Sequence, residues 1–120
     1  MLTKPRRVEK AWGHELWIHN SPLYCGKILM VEAGRQCSLH YHERKHETFY
    51  VMYGRLILEL DGQPHIIEEG SAIEIQPYVR HRFCEASGLR PAQIMEVSTQ
   101  HLETDSIRVI SGMLYRGGVA

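Results

Sequence analysis

The sequence predicts an all-β domain of sandwich or barrel type. Three observations carry that expectation: short runs rich in β-branched and aromatic residues, turn signals such as Ala33-Gly34, Asp61-Gly62 and Gly70-Ser71 between them, and almost no helical periodicity. Arg55 to Leu60 shows the pattern most clearly. Leu56, Leu58 and Leu60 fall on one face, and Arg55, Ile57 and Glu59 on the other, as the two-residue period of a strand requires.

The elements follow in chain order. Met1 to Arg7 is short and basic and is expected to be loose. Trp12 to His19 reads as extended, with Trp12, Leu16 and Ile18 able to share a face. Two tryptophans, Trp12 and Trp17, are a heavy apolar load for a chain end; they cap their own barrel or pack on a partner. Leu23 to Glu32 is the next strand, with Lys27 at its middle. Asp61-Gly62 marks a tight hairpin between Arg55–Leu60 and the return strand Gln63–Ile67. Ala72–Ile75 and His81–Cys84 are short strands, and Ala92–Ser98 follows the loop 86–91. Beyond it, Leu102–Ser106 reads as one helical turn and Ile107–Ile110 as extended, with Gly117-Gly118 fraying. His65 reads as a surface residue.

At 120 residues the chain is expected to be one domain, 1–120, with one hydrophobic core. Lysine plus arginine equals aspartate plus glutamate, at 14 each, which leaves no net charge to attract a polyanion, so nucleic acid is not an expected partner. No apolar run is long enough to span a membrane, and residues 1–20 lack a signal-peptide pattern. The three cysteines, Cys25, Cys37 and Cys84, are odd in number and form no Cys-x-x-Cys pair, which reads as reduced thiols in a cytoplasmic protein.

The chemistry concentrates between Gly34 and Gly54. His40 and His42 stand two apart, so one strand presents both on one face. Glu43-Arg44-Lys45 reads as a turn, and Glu47 opens a second β-rich run that returns beside the first and sets its carboxylate opposite the histidines. Two imidazoles and a carboxylate converging on one point make a divalent-metal site. His81, after the turn-like Gln76–Arg80, is a fourth candidate. His46 and Tyr50 are out of phase with Glu47 and face outward.

Gly34-x5-His40-x-His42-x4-Glu47-x6-Gly54 resembles the first signature motif of the cupin family, and Gly70-x6-Pro77-x3-His81 resembles the second, which here spans 70–85. Glu9-Lys10-Ala11-Trp12-Gly13-His14-Glu15 and Glu96-Val97-Ser98-Thr99 resemble the ends of mannose-6-phosphate isomerase-like cupins. The resemblance covers about residues 8–116. It implies a single-domain cupin jelly-roll (double-stranded β-helix) barrel, with one divalent transition metal (Zn, Mn, Fe, Ni or Co) on His40, His42, Glu47 and His81. Two positions depart from the second motif. Tyr78 stands where glycine is usual, which predicts a different backbone path, and Glu85 stands where asparagine is frequent.

Three neutral imidazoles and one carboxylate would leave a divalent ion about one positive charge, suited to the oxygens of a sugar or sugar phosphate. The narrower resemblance implies an aldose–ketose isomerase-like enzyme, with Glu96 the candidate base and Lys27 the candidate contact to an anionic substrate group. A ligand-binding sensor or carrier, and an iron-dependent oxygenase acting on a small organic acid, are the alternatives. Sheet edges and the Trp12–Trp17 segment predict a homodimer.

Overall fold

The computed structural model describes residues 1–117, so the expectation that 117–120 is loose falls mostly outside the described residues. Twelve strands are described: β1 (Arg6–Lys10), β2 (Gly13–Asn20), β3 (Cys25–Val31), β4 (His40–His42), β5 (Glu47–Tyr53), β6 (Leu56–Leu60), β7 (Gln63–Ile67), β8 (Ala72–Ile75), β9 (His81–Glu85), β10 (Ala92–Ser98), β11 (Ser106–Ile110) and β12 (Met113–Arg116). Glu103–Asp105 forms a single 3-10 turn. Strand β1 begins at Arg6, inside the segment read as loose.

The strands form two six-stranded antiparallel sheets, ordered β1-β2-β3-β10-β5-β8 and β12-β11-β4-β9-β6-β7, which pack as a jelly roll. Alternation decides what faces inward. In β3, Cys25, Lys27, Leu29 and Val31 are buried; in β5, Glu47, Phe49 and Val51; in β10, Ala92, Ile94 and Glu96. Leu29, Phe49, Leu56, Leu58, Phe83 and Ile94 fill the middle of the barrel. Each such side chain stabilises the fold by about 1.5–3 kcal/mol relative to exposure.

The expected hairpin between His42 and Glu47 is not there. Strand β4 pairs with β11, His42 opposite Ser106, and with β9, His40 opposite His81. Strand β5 lies in the other sheet, between β10 and β8. Residues 43–46 therefore cross between the sheets. Four extended residues reach about 13 Å, enough to bridge two sheets packed about 10 Å apart. The local sequence gives a turn but not its destination, because the ladder partners of β4 come from distant residues.

Asp61 and Gly62, with φ of 46° and 84°, close the β6–β7 hairpin as expected. Gly54 is required by space as well as by φ: a Cβ there would lie 2.9 Å from Ala92 Cα. Gly13 is likewise obligatory, since a Cβ would sit 1.9 Å from the Met30 carbonyl oxygen. Trp12, 2% exposed, packs edge-on against Phe83 at 4.9 Å between ring centroids. Trp17 stacks under Lys27, whose Nζ lies 4.4 Å from the ring centroid. The tryptophans that predicted a homodimer are thus engaged within one chain, which removes that ground for it. Ile18 diverges from Trp12 and is exposed, because a bulge between Trp17 and His19 shifts the register of β2.

The expected change of path at Tyr78 is also corrected. Tyr78 adopts φ of 71°, the left-handed conformation that glycine ordinarily supplies. Its N–H donates to the His42 carbonyl at 2.7 Å, so the turn keeps its course and delivers His81 to the barrel interior. Glu85 is buried, and its carboxylate accepts from Gly34 N (2.9 Å), Ser87 N (2.8 Å), Ser87 Oγ (2.7 Å) and Gly88 N (2.6 Å). Burial raises its pKa, but these bonds outweigh burial and hold it down to about 2.

Candidate metal centre

One sheet brings three histidines together. His40 and His42 project inward from β4, and His81 enters from the neighbouring β9. One ring nitrogen from each lies within 4.8 Å of the others, and all three residues are buried. Each Nδ1 faces a backbone carbonyl: Ser38 for His40 at 2.8 Å, Asp105 for His42 at 3.0 Å and Val79 for His81 at 2.9 Å. A carbonyl can only accept, so each Nδ1 carries a proton, and in the neutral ring it is Nε2 that keeps the lone pair.

Those lone pairs stay unprotonated at neutral pH on two of the rings. Burial, then the neighbouring histidines, holds His40 well below its usual range. Burial, then Lys45, pushes His42 down to about 3. The Nε2 of His81 is buried without a hydrogen-bond partner. Three buried imidazole lone pairs facing one point disfavour one another, and a cation resolves that. The triad can hold a metal ion.

Glu47 arrives from the opposite sheet. Its Oε2 lies 3.5 Å from His42 Nε2, and its Oε1 lies 3.5 Å from His81 Nε2. Burial raises its pKa, against the pull of Lys45. The Oε2 atom makes no hydrogen bond, although Lys45 Nζ stands 3.3 Å away as an ion-pair partner.

Lys45 lies in the segment that the sequence reads as a turn. It is 3% exposed, with Nζ 2.9 Å from Glu96 Oε2. Burial opposes its charge, but Glu47 and Glu96 outweigh burial and raise its pKa. Glu96 is buried and inward, as its phase predicted, and accepts from Ser98 Oγ at 2.8 Å. Burial would raise the Glu96 carboxyl; Lys45 and Lys27 beside it hold it well below the carboxylate range. The signal for Lys45 was available in the sequence, since it shares the two-residue phase of Glu47, Phe49 and Val51.

His101 was missed as well, in a stretch with no clear period. Its Nδ1 lies 3.1 Å from Lys45 Nζ and its Nε2 3.3 Å from Glu103 Oε1. Asn20 clamps its backbone in both directions, at 3.0 and 2.9 Å. Burial, then Lys45, pushes His101 down to about 2, so its Nδ1 accepts from the ammonium.

Lys27 faces inward and is 1% exposed, with Nζ 3.2 Å from Glu15 Oε1. Trp17 Nε1 donates to the same oxygen at 2.7 Å. His46 lies on the rim beside Glu74, at 3.3 Å; His65 and Tyr50 are exposed, and Arg82 pairs with Glu59 at 2.8 Å. The layer holding Lys27, Lys45, Glu15, Glu47 and Glu96 has two cations and three anions, one net negative charge around the triad. The cavity, partly open to solvent, has a volume of about 40 Å³, with Trp12, Leu29, Phe49 and Phe83 among its apolar lining. That space suits an ion with a few waters.

Residues 27–98 match the domain family described as cupin domain. The polyketide synthase CurC of Streptomyces cyaneus is 34% identical over 56 residues, 47% of this chain and 36% of that protein. The match thus spans about a third of that curated relative's length. The structure of KdgF from Halomonas sp. aligns with a TM-score of 0.72 at 17% identity, over 84% of this chain and 89% of that one. Streptomyces Pac13, described as a nucleoside dehydratase, aligns with a TM-score of 0.73 at 16% identity, over 95% and 87% of the two chains. At such identities the likeness shows the fold alone.

Proposed function

From the premise that this chain belongs to the cupin family, we propose that it is a metal-dependent enzyme that interconverts an aldose and a ketose, binding a sugar or sugar phosphate through its oxygens. One divalent ion, from among Zn, Mn, Fe, Ni and Co, would be held by His40, His42 and His81, with Glu47 as the fourth ligand. The donor set of three imidazole nitrogens and one carboxylate fits these metals. The observation that carries the reading is the buried Lys45–Glu96 pair, 2.9 Å apart, beside a carboxylate that already faces the triad.

When bound, the ion would polarise the sugar carbonyl and its neighbouring hydroxyl. Glu96, held ionised by Lys45 and Lys27, takes the proton from the carbon next to the carbonyl and returns it to the adjacent carbon. Lys45 steadies the hydroxyl and carbonyl oxygens as the second proton moves between them. The product has the same atoms as the substrate, and no co-reactant is consumed. Lys27, neutralised by Glu15, orients substrate hydroxyls. Both buried cations of the cavity already face carboxylates, which favours an uncharged sugar over a phosphorylated one. The free thiols of Cys25, Cys37 and Cys84 support a reducing, cytoplasmic setting, and no described helix is long and apolar enough to cross a membrane.

The test begins with elemental analysis after remetallation, which should give one metal per chain, lost in His42→Ala. Mannose, fructose and their 6-phosphates are then followed by NMR in deuterated water with each of the five metals. Turnover should place deuterium next to the carbonyl to the extent that the proton held by Glu96 exchanges with solvent before it is returned. Glu96→Gln should retain metal and lose about 10²–10⁴-fold in rate. Sugar binding with no interconversion under any metal would sink the isomerase and leave a carrier. Oxygen uptake by the iron form with a small organic acid would replace both.

A further inference from the structure

We propose that Asp105 is a positioning residue that fixes the crossover 43–45, and with it His42 and Lys45, at the metal centre. Asp105 lies 62 residues or so along the chain from this crossover, in the 3-10 turn before β11, and is buried. Its Oδ1 accepts from Glu43 N at 2.9 Å and Arg44 N at 3.0 Å. Its Oδ2 accepts from Arg44 N at 3.2 Å and Lys45 N at 2.9 Å. One carboxylate thus gathers three successive amides. The backbone carbonyl of the same residue accepts from His42 Nδ1 at 3.0 Å.

These two sets of bonds act on one link. The carbonyl sets the tautomer and ring angle of His42, the kind of outer contact that tunes a ligating imidazole. The carboxylate bends the chain directly after His42, so that it leaves one sheet and enters the other with Lys45 turned inward. Without that acceptor three amides would lose their partner inside the fold, and the crossover would have no reason to hold Lys45 against Glu47 and Glu96. A neutral carboxamide cannot replace it, because its NH₂ group donates and meets an N–H. Asp105 touches neither substrate nor the reacting atoms; it acts through His42 and Lys45.

The inference rests on the metal reading above for one of its two readouts only. The first is Co²⁺ affinity by chelator competition, together with the visible spectrum of the Co²⁺ protein. The second needs no metal: acetylation of Lys45 by an amine-reactive ester, mapped by mass spectrometry. Asp105→Asn is compared with Glu85→Gln, which removes a similar amide-gathering carboxylate from another part of the barrel. Both should lower the melting temperature. Only Asp105→Asn should weaken Co²⁺ binding by about 10–100-fold, alter its spectrum and open Lys45 to acetylation. Asp105→Glu keeps the charge but displaces it by one methylene, and serves if the amide variant does not fold; it should show the same losses. Wild-type affinity, spectrum and Lys45 protection in the Asp105 variants would overturn the proposal, as would equal losses in Glu85→Gln. Failure of the wild-type protein to bind Co²⁺ would refute the metal reading instead, and Lys45 acetylation would then decide for Asp105.

Discussion

Replacing Lys45 by methionine tests the charge arrangement directly. The substitution keeps the length and apolar stem of the side chain and deletes the ammonium that stands 2.9 Å from Glu96 and 3.3 Å from Glu47. All three groups are buried. Removing one member of a buried ion pair leaves an uncompensated charge and typically costs about 3–5 kcal/mol, a large part of the roughly 5–15 kcal/mol that holds a domain folded. For a chain of this size, that corresponds to a fall in melting temperature of roughly 10–20 °C. The loss should be largest in metal-free protein, where the layer would carry two net negative charges instead of one. Saturating Co²⁺ should narrow the gap, because the extra negative charge favours the ion in the variant, and each tenfold tighter Kd than wild type adds about 1.4 kcal/mol to the variant alone. Adding Glu96→Gln removes one of the orphaned charges and should recover part of the loss. Urea unfolding of the wild type, both single variants and the double variant, each with EDTA and with Co²⁺, gives the coupling energy. A metal-free Lys45→Met protein within about 1 kcal/mol of wild type, or a double variant no more stable than Lys45→Met, would refute the reasoning.

Two further outcomes follow from the backbone and from the buried histidines. Tyr78→Gly should be about 0.5–1 kcal/mol more stable than Tyr78→Ala in urea, because both remove the ring but only alanine keeps the cost of a positive φ; metal binding should survive in both. Metal-free protein should lose stability as pH falls below 6.5, because His42 and His101, depressed to about 3 and about 2, stay neutral in the fold while their unfolded counterparts take up protons. The slope is about 1.4 kcal/mol per pH unit for each histidine through that window. Denaturant midpoints across pH 4–8 read it, and a flat profile would contradict it.

The strands were most legible where alternation survives, as in β3, β5, β6, β9 and β10. Leu56, Leu58, Phe49 and Val51 mark their inward faces through a period that needs no knowledge of the partner strand. The inward phase of Glu96 was legible for the same reason. Which strands pair was not. A turn after His42 is equally consistent with a hairpin and with a crossing between sheets, and only ladders to β9 and β11, far along the chain, choose between them. The hairpin expectation masked a signal that the phase of Lys45 with Glu47, Phe49 and Val51 carried: an inter-sheet link turns a side chain inward where a hairpin turn would expose it. His101 and Asp105 lie in a segment whose geometry is set by distant hydrogen bonds, to Lys45 and Asn20 in one case and to the amides of 43–45 in the other. No local pattern records such bonds.

The two departures in the second motif show what that motif has to supply. At Tyr78 the turn needs a positive φ and an N–H for the His42 carbonyl. A tyrosine supplies both at some cost in strain, so the identity of the residue matters less than the path it takes. At Glu85 the chain needs acceptors. An asparagine offers one side-chain oxygen, whereas this carboxylate uses two to gather donors from Gly34, Ser87 and Gly88. Gly34 opens the first motif, so the beginning of one motif is tied to the end of the other. Along β9, residues 81, 83 and 85 share the inward face. They read through the barrel in successive layers: His81 at the metal triad, Phe83 in the apolar middle against Trp12, and Glu85 at the hydrogen-bonded closure beyond it. The apolar layer separates a rigidly satisfied carboxylate from an ionised cluster with an unpartnered nitrogen. That separation lets the closed side maximise its hydrogen bonds while the other keeps groups free to meet an ion and a ligand.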